Sequence, residues 1–226
     1  MNIWQKIFYA GAKLFGPQVV SHRDGCPDSI DEASVVAALV ALGAKMAKAD
    51  GSVSKSEVDA FKKVFQASPE NEETIARFFN LARQSTLGYE KYAKIIYKRF
   101  RFNPSILEGV LDGLFHIAMA DGIVMNSEIS FLERVASEFG LSDSDFSRIK
   151  ATHLGRAADD PYLILGIDES ISDLELKSAY RRMASACHPD TMMARGLPIE
   201  LVGLANHKMA MVNKAYSEIL SQRSDD

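Results

Sequence analysis

The chain has 226 residues, of which 47% are hydrophobic and 25% charged, as in an ordinary soluble globular protein of one or two domains. Its formal net charge of −4 lacks the basic excess of most nucleic-acid-binding proteins, so we expect no nucleic-acid partner. Cys26 and Cys187 lie far apart and form no CxxC pair, which predicts a reducing compartment without disulfides.

Residues 1–30 combine an amphipathic segment with a linker. A membrane-spanning helix needs about 20 apolar residues, and Lys13 with Gly16-Pro17 interrupts this segment earlier. Two interpretations stay open for residues 1–20: a helix that packs on its own domain, or peripheral contact with the inner face of a membrane. Turn-forming residues dominate 16–29 and indicate a linker.

Residues 31–156 are predicted to form a helical domain. Apolar residues recur at helical spacing, as in Val35, Leu39, Leu42 and Met46. No stretch alternates with period two, so we expect an all-α fold without a sheet. Short polar and Gly-containing breaks divide the region into about seven helices.

An internal repeat lies within this domain. Asp50-Gly51 with Glu57 recurs 71 residues later as Asp121-Gly122 with Glu128, and each copy is typical of two helices joined by a turn. In the first copy Ser54 and Glu57 have capping-box spacing, which predicts a helix start at Ser54. The second copy has Met125 at the matching position, so we expect Asn126 to cap that helix instead.

The repeated A-x-A-D-G-x-V…E element resembles the TerB-like domain, named from tellurite-resistance proteins. That resemblance raises a cation site, whose ligands would be Asp50, Glu57, Asp121 and Glu128. Capping already accounts for Glu57, and a hard cation prefers about six oxygens. We therefore favour a turn-and-cap role for these four acids and predict no metal or other cofactor.

The C-terminal unit begins with a short helix from Pro161 to about Gly166. Ser172 then caps a long helix, which His188 ends because Pro189 disfavours helical backbone before it. A loop is predicted from Asp190 through Thr191 to Pro198, and a last helix starts near Ile199. The two long helices should form an antiparallel hairpin. The first carries an apolar stripe that consists of Leu176, Ala179, Tyr180, Met183 and Cys187.

Residues 160–221 resemble a J domain in four segments: D-P-Y-x-x-L-G, L-K-S-A-Y-R-R-M-A, H-P-D and V-N-K-A-Y-S-E-I-L. We assign residues 157–226 to this domain. A TerB-like region followed by a J domain is the order of the DjlA-type co-chaperones, and the loop at 193–198 also resembles theirs. The resemblance implies a bacterial stress-response co-chaperone without enzymatic activity.

The J-domain resemblance implies that His188, Pro189 and Asp190 contact the ATPase domain of a DnaK-type chaperone (the 70 kDa heat-shock class). Lys177, Arg181 and Arg182 match the basic face that steers this encounter. Binding would stimulate ATP hydrolysis by the chaperone, while the TerB-like domain targets the chain to clients or a location. The sequence does not identify the clients.

Two departures qualify the match. Ser178 and Ala186 stand where many J domains have lysine, so we expect weaker or more selective binding to the chaperone. The DjlA type has an N-terminal membrane span, where this sequence has the short segment 1–20. We therefore expect a cytoplasmic protein with, at most, peripheral membrane contact. The alternative function is a metal-responsive stress protein in which the acidic repeats bind a cation.

Overall fold

A computed structural model describes residues 32–49, 54–64, 76, 79–80, 82, 84, 88–154 and 160–224. These residues contain ten bounded α-helices, two short 3-10 helices and no strand, which confirms the all-α class. The predicted segment 1–30 lies outside them. The α-helices are α1 (Glu32–Met46), α2 (Lys55–Val64), α3 (Tyr89–Phe100), α4 (Pro104–Ala118), α5 (Asn126–Glu138), α6 (Asp143–His153), α7 (Pro161–Leu165), α8 (Asp173–Cys187), α9 (Pro189–Ala194) and α10 (Val202–Ser224).

Helix α1 is the centre of the N-terminal bundle. Its sequence is apolar on every side, and from Val35 to Met46 each residue is buried. A helix of this kind belongs in the middle of a core, whereas one-sided helices surround it. Helices α3 and α4 pack against it, and α5 and α6 pack against α4. Six of the ten helices lie in this bundle, where about seven were expected, and residues 76, 79–80 and 82 are also helical.

The two copies of the repeat begin their second helices differently. At the start of α2, the Ser54 amide donates to Glu57 Oε2 at 2.7 Å, and Ser54 Oγ accepts from the Glu57 amide at 3.1 Å, as predicted. At the start of α5, Glu128 Oε2 accepts from the Met125 amide at 2.8 Å. The prediction that Asn126 caps α5 is wrong, because Asn126 is the first helical residue and extended Met125 occupies the cap position.

Helices α8 and α10 form the predicted antiparallel hairpin. Near its middle, the rings of Tyr180 and Tyr216 stack with centroids 4.1 Å apart. At its open end, Arg223 donates to Asp173 Oδ1 at 2.7 Å and to the carbonyl of Glu169 at 3.1 Å. The start of one helix thus meets the end of the other, and the short helix α7 packs against α10.

The segment after His188 is helical where a loop was predicted. Residues 189–194 form α9, so the predicted loop from Asp190 to Pro198 is wrong over residues 190–194. Proline suits the first position of a helix because its missing N–H has no intrahelical partner there. Pro189 therefore ends α8 and begins α9, and the two helices meet at a corner.

Helix α10 also joins the hairpin to the N-terminal bundle, because its first half packs on α4 and α2. A Cβ atom at Gly203 would overlap the carbonyl of Val64, and one at Gly113 would overlap the Leu204 side chain. The backbone approach at Gly203 requires glycine, whereas the Leu204 side chain at Gly113 can shift. The relative orientation of the two parts, which the sequence leaves open, is thus defined by direct helix contacts.

Candidate functional site

The corner between α8 and α9 presents the His-Pro-Asp motif at the surface. His188 has extended backbone, with φ −59° and ψ 134°, as expected for a residue before proline. Its Nδ1 accepts from the Asp190 amide at 3.2 Å, which caps α9. The His188 side chain is 48% exposed and that of Asp190 is 83% exposed. Both remain accessible to a partner.

The cap also determines what the His188 ring offers. An Nδ1 atom that accepts an amide N–H carries no proton in the neutral ring, so the hydrogen-bond network assigns the proton to Nε2. Nε2 can then donate to a partner while the Asp190 carboxylate accepts, 3.8 Å from Nδ1. Pro189 fixes the backbone between them. The corner is a preformed donor and acceptor pair.

The three predicted cations all lie exposed on α8, and among the described residues none has an ion pair. At about 100° per residue, Lys177, Arg181 and His188 fall within about 40° of one another around the helix. They extend over roughly 16 Å along its axis. Arg182 lies about 100° further round and lines a groove against the N-terminal bundle. The site is therefore a narrow row with Arg182 at its side.

The opposite side of α8 fixes this row in place. Leu176 and Cys187 are buried in the hydrophobic core, Ala179 is also buried, and Tyr180 and Met183 are half-buried. At the start of the helix, Ser172 Oγ accepts from the Glu175 amide at 3.3 Å, and the Ser172 amide donates to Glu175 Oε2 at 2.9 Å. Hydrogen bonds from Ser172 lower the pKa of the Glu175 carboxyl. The predicted cap and stripe both form.

The acidic repeat residues in the described part act in turns and caps. Glu57 and Glu128 are 3% exposed, and each accepts a hydrogen bond from the backbone amide three residues before it. Asp121 Oδ1 accepts from the Ile123 amide at 3.0 Å. Asp50 lies outside the described residues. Within the described part of the chain, no three His, Cys, Asp or Glu side chains form a metal-binding group.

Sequence reasoning missed a buried polar cluster between the two parts of the molecule. Asp112 on α4 is 1% exposed; its carboxylate lies 2.5 Å from Lys208 Nζ of α10 and 3.0 Å from His153 Nε2. Although burial alone raises the pKa of Asp112, the Lys208 charge and the His153 hydrogen bond hold that pKa at about 2. An Asp inside the apolar pattern of α4 was the available signal.

A second buried contact between the two parts pairs histidines. The rings of His116 on α4 and His207 on α10 have centroids 4.1 Å apart. Burial, followed by the nearby His116 charge, lowers the pKa of His207 to about 4. Burial also lowers the pKa of His116, and His153 and Lys63 act in the same direction. This interface therefore favours neutral imidazoles.

No helix within the described ranges is long and apolar enough to cross a membrane. Residues 36–151 match the family described as Tellurite resistance protein TerB, and residues 160–225 match the DnaJ domain. The two matches lie on either side of the 155–159 junction, with the His-Pro-Asp corner inside the second. No solved structure matches the chain significantly.

Several curated relatives carry the same printed name, Co-chaperone protein DjlA. The protein from Coxiella burnetii is 29% identical over 199 residues, which are 79% of this chain and 74% of the relative. The protein from Shewanella oneidensis is 32% identical over 118 residues, 47% of this chain and less than half (45%) of the relative. The protein from Photobacterium profundum is 24% identical over 243 aligned positions, 96% of this chain and 78% of the relative.

Proposed function

This chain belongs to the TerB family and is a J-domain protein of the DjlA type, and we propose that it stimulates ATP hydrolysis by a DnaK-type chaperone. The observation that carries the proposal is the exposed corner at His188, Pro189 and Asp190, with Lys177 and Arg181 in line with it. In this proposal the chain contributes recognition, and the bond chemistry belongs to the chaperone.

The corner and the basic row have separate roles in the proposal. Exposed cations steer encounter with an acidic surface through long-range attraction. The His188 Nε2–H and the Asp190 carboxylate then make directional hydrogen bonds in the bound complex. Stimulation follows if these bonds are stronger with the hydrolysing conformation of the chaperone than with its resting one, since a ligand shifts populations only by differential affinity.

The TerB domain acts in this proposal as the targeting module. Helix α10 packs on α4 and α2. When the TerB domain binds a client or attaches to a cellular location, it therefore also positions the His-Pro-Asp corner. Peripheral membrane contact through residues 1–20 and a cytoplasmic location stay predictions of the sequence. The cation-binding alternative gains no support from Glu57, Asp121 or Glu128, which make turn and cap hydrogen bonds.

The test measures ATP hydrolysis by a DnaK-type chaperone with the full chain and with His188→Gln. Gln keeps the polarity of the side chain but lacks the imidazole Nε2–H, and its amide oxygen can still accept from the Asp190 amide, so we expect the fold to be kept. We expect the wild type to accelerate hydrolysis and the variant to lose at least about tenfold of that acceleration. Lys98→Gln, an exposed cation on α3, is the control and should stimulate like the wild type.

A further inference from the structure

A pocket lies between the TerB and J domains, directly beneath the His-Pro-Asp corner. Its volume is about 240 Å³. Cys187 and Met192 line it, and these two residues flank residues 188–191 in sequence. We propose that this pocket binds a small amphipathic carboxylate, with its hydrocarbon chain between the domains and its charged group at the cationic rim.

The walls of the pocket favour a hydrocarbon. Apolar side chains make up most of the lining, with Leu165, Ala179, Met183 and Ala186 beside Cys187 and Met192. Methionine side chains adapt to irregular apolar ligands because they are unbranched and flexible. A volume of 240 Å³ holds roughly eight water-sized groups, which corresponds to a chain of about six to eight carbons.

The charges around the pocket favour an anion. Arg148, Arg182 and Lys208 line it from three different helices, whereas Glu108 is the single acid in the lining. Arg148 donates to Glu108 at 2.8 Å and also lies 3.7 Å from Asp145 Oδ1, and Lys208 pairs with Asp112 behind the wall. Among the described residues Arg182 is the lining cation that has no acidic partner. A bound carboxylate would supply that partner.

The carboxylate group is the form of anion that this rim fits best. A guanidinium presents several N–H donors in one plane and matches the two oxygens of a carboxylate. Arg148 directs Nη2 at Glu108 and Asp145 and keeps its other N–H donors, and its guanidinium lies in the same lining as Arg182. A carboxylate on an apolar chain has two natural sources, a free fatty acid or the C-terminus of a peptide that ends in an aliphatic residue.

Calorimetric titration of the full chain tests the proposal with sodium octanoate and with N-acetyl-Leu-Leu as separate probes. Binding of either probe supports the shared chemistry and identifies its source. Octanamide, which is neutral but similar in shape, should bind at least about tenfold more weakly, because the rim charge contributes to affinity. Absence of binding by both carboxylates overturns the proposal, and so does equal binding of octanamide.

Two variants locate the bound probe. Ala186→Leu fills the pocket without removing a contact, so it should abolish binding, whereas Ser185→Leu adjoins it on the exposed side of α8 and should have no effect. Arg182→Gln should weaken binding about tenfold. Unchanged affinity in both Ala186→Leu and Arg182→Gln overturns the assignment.

A chemical readout gives independent evidence of position. In a Cys26→Ser background, bound octanoate should slow the alkylation of Cys187 by N-ethylmaleimide. Equal alkylation rates with and without octanoate would contradict the proposed site. None of these measurements involves a chaperone. The proposal therefore stands or fails independently of the ATPase activity.

Discussion

His188 ends one helix and caps the next, and both roles leave its ring at the surface. The same geometry that stabilises the corner, with Nδ1 accepting from the Asp190 amide, leaves Nε2 for an external acceptor. A tripeptide alone is a weak signal, because many helix ends contain such residues. The alignment of His188 with Lys177 and Arg181 on one side of α8 gives it a specific chemical setting.

The double variant Lys177→Gln with Arg181→Gln tests the basic row. Peripheral charges act mainly on the rate of encounter, so the concentration for half-maximal chaperone stimulation should rise about tenfold while maximal stimulation persists. The effect should shrink at high salt, because screening weakens long-range attraction. A titration of ATPase rate at two ionic strengths, with Lys98→Gln as control, measures both. A loss of maximal stimulation alone would contradict steering.

Asp112 forms a buried ion pair with Lys208 across the domain interface. Asp112→Asn leaves the buried Lys208 ammonium without its counter-charge, and breaking a buried pair in this way costs about 3 kcal/mol or more. Urea unfolding should show that loss, while Glu133→Gln on the exposed side of α5 should stay within about 0.5 kcal/mol of the wild type. A loss below about 1 kcal/mol for Asp112→Asn would mean that solvent reaches Lys208.

At the scale of elements, the two repeat copies show how much a cap depends on one hydroxyl. Glu57 and Glu128 play the same part at the starts of α2 and α5. Ser54 Oγ returns a hydrogen bond to the helix, whereas the Met125 side chain has no oxygen and the Glu128 amide donates to the Met125 backbone carbonyl at 3.0 Å instead. The second cap therefore lacks only its side-chain acceptor, and its backbone is already extended as a serine cap requires.

Met125→Ser should complete that cap. The new hydroxyl can accept from the Glu128 amide, which otherwise donates to the carbonyl of residue 125, so we expect a gain of about 0.5 kcal/mol in the free energy of unfolding. Met125→Ala removes the same exposed side chain without adding an acceptor and is the matched control. Thermal unfolding of both variants provides the measurement. Equal stability of the serine and alanine variants would disprove the hydrogen-bonding explanation.

Sequence patterns predicted the elements of the J domain better than the connections between them. The stripe on α8 and the cap at Ser172 follow local rules, since each depends on residues one or two turns apart. Helix α9 was not predicted, because a proline such as Pro189 is compatible both with the end of one helix and with the start of the next. Arg182 was grouped with Lys177 and Arg181, although its angular position places it beside the inter-domain pocket.

At the scale of the whole molecule, contacts between residues about 90 positions apart join the two domains. Gly113 contacts Leu204, Asp112 pairs with Lys208, and the tilted rings of His116 and His207 contact each other. No local sequence pattern predicts such contacts, because Gly113 and Asp112 are equally compatible with a helix that contacts no second domain. The fold of each domain was thus predictable, whereas their docking was not.

The histidine pair predicts how stability depends on pH. The folded-state pKa of His207 is about 4, below its ordinary value of 6.5, and that of His116 is also lowered. A histidine whose pKa is lowered in the folded state contributes its full stabilisation above pH 6.5. That contribution is lost as the pH falls toward 4. Protonation of His207 is opposed by His153 and Lys208 and favoured by Asp112. Protonation of His116 is opposed by His153 and Lys63.

Urea unfolding midpoints of the wild type at pH 7.5, 6.0 and 5.0 should therefore fall with pH. His207→Phe keeps a ring against His116 without a titrating nitrogen, so its midpoint should fall less over the same range. Asp112 does not affect the comparison, because its contribution to the free energy of unfolding is lost only below its ordinary pKa of 3.8. Parallel curves for the two proteins would exclude His207 as the cause.

The most direct measurement of the central claim is single-turnover ATP hydrolysis by a DnaK-type chaperone as the full chain is titrated. The wild type should raise the hydrolysis rate to a plateau. His188→Gln should leave the rate near that of the chaperone alone at every concentration. No acceleration by the wild type, or a plateau of equal height with His188→Gln, would contradict the account.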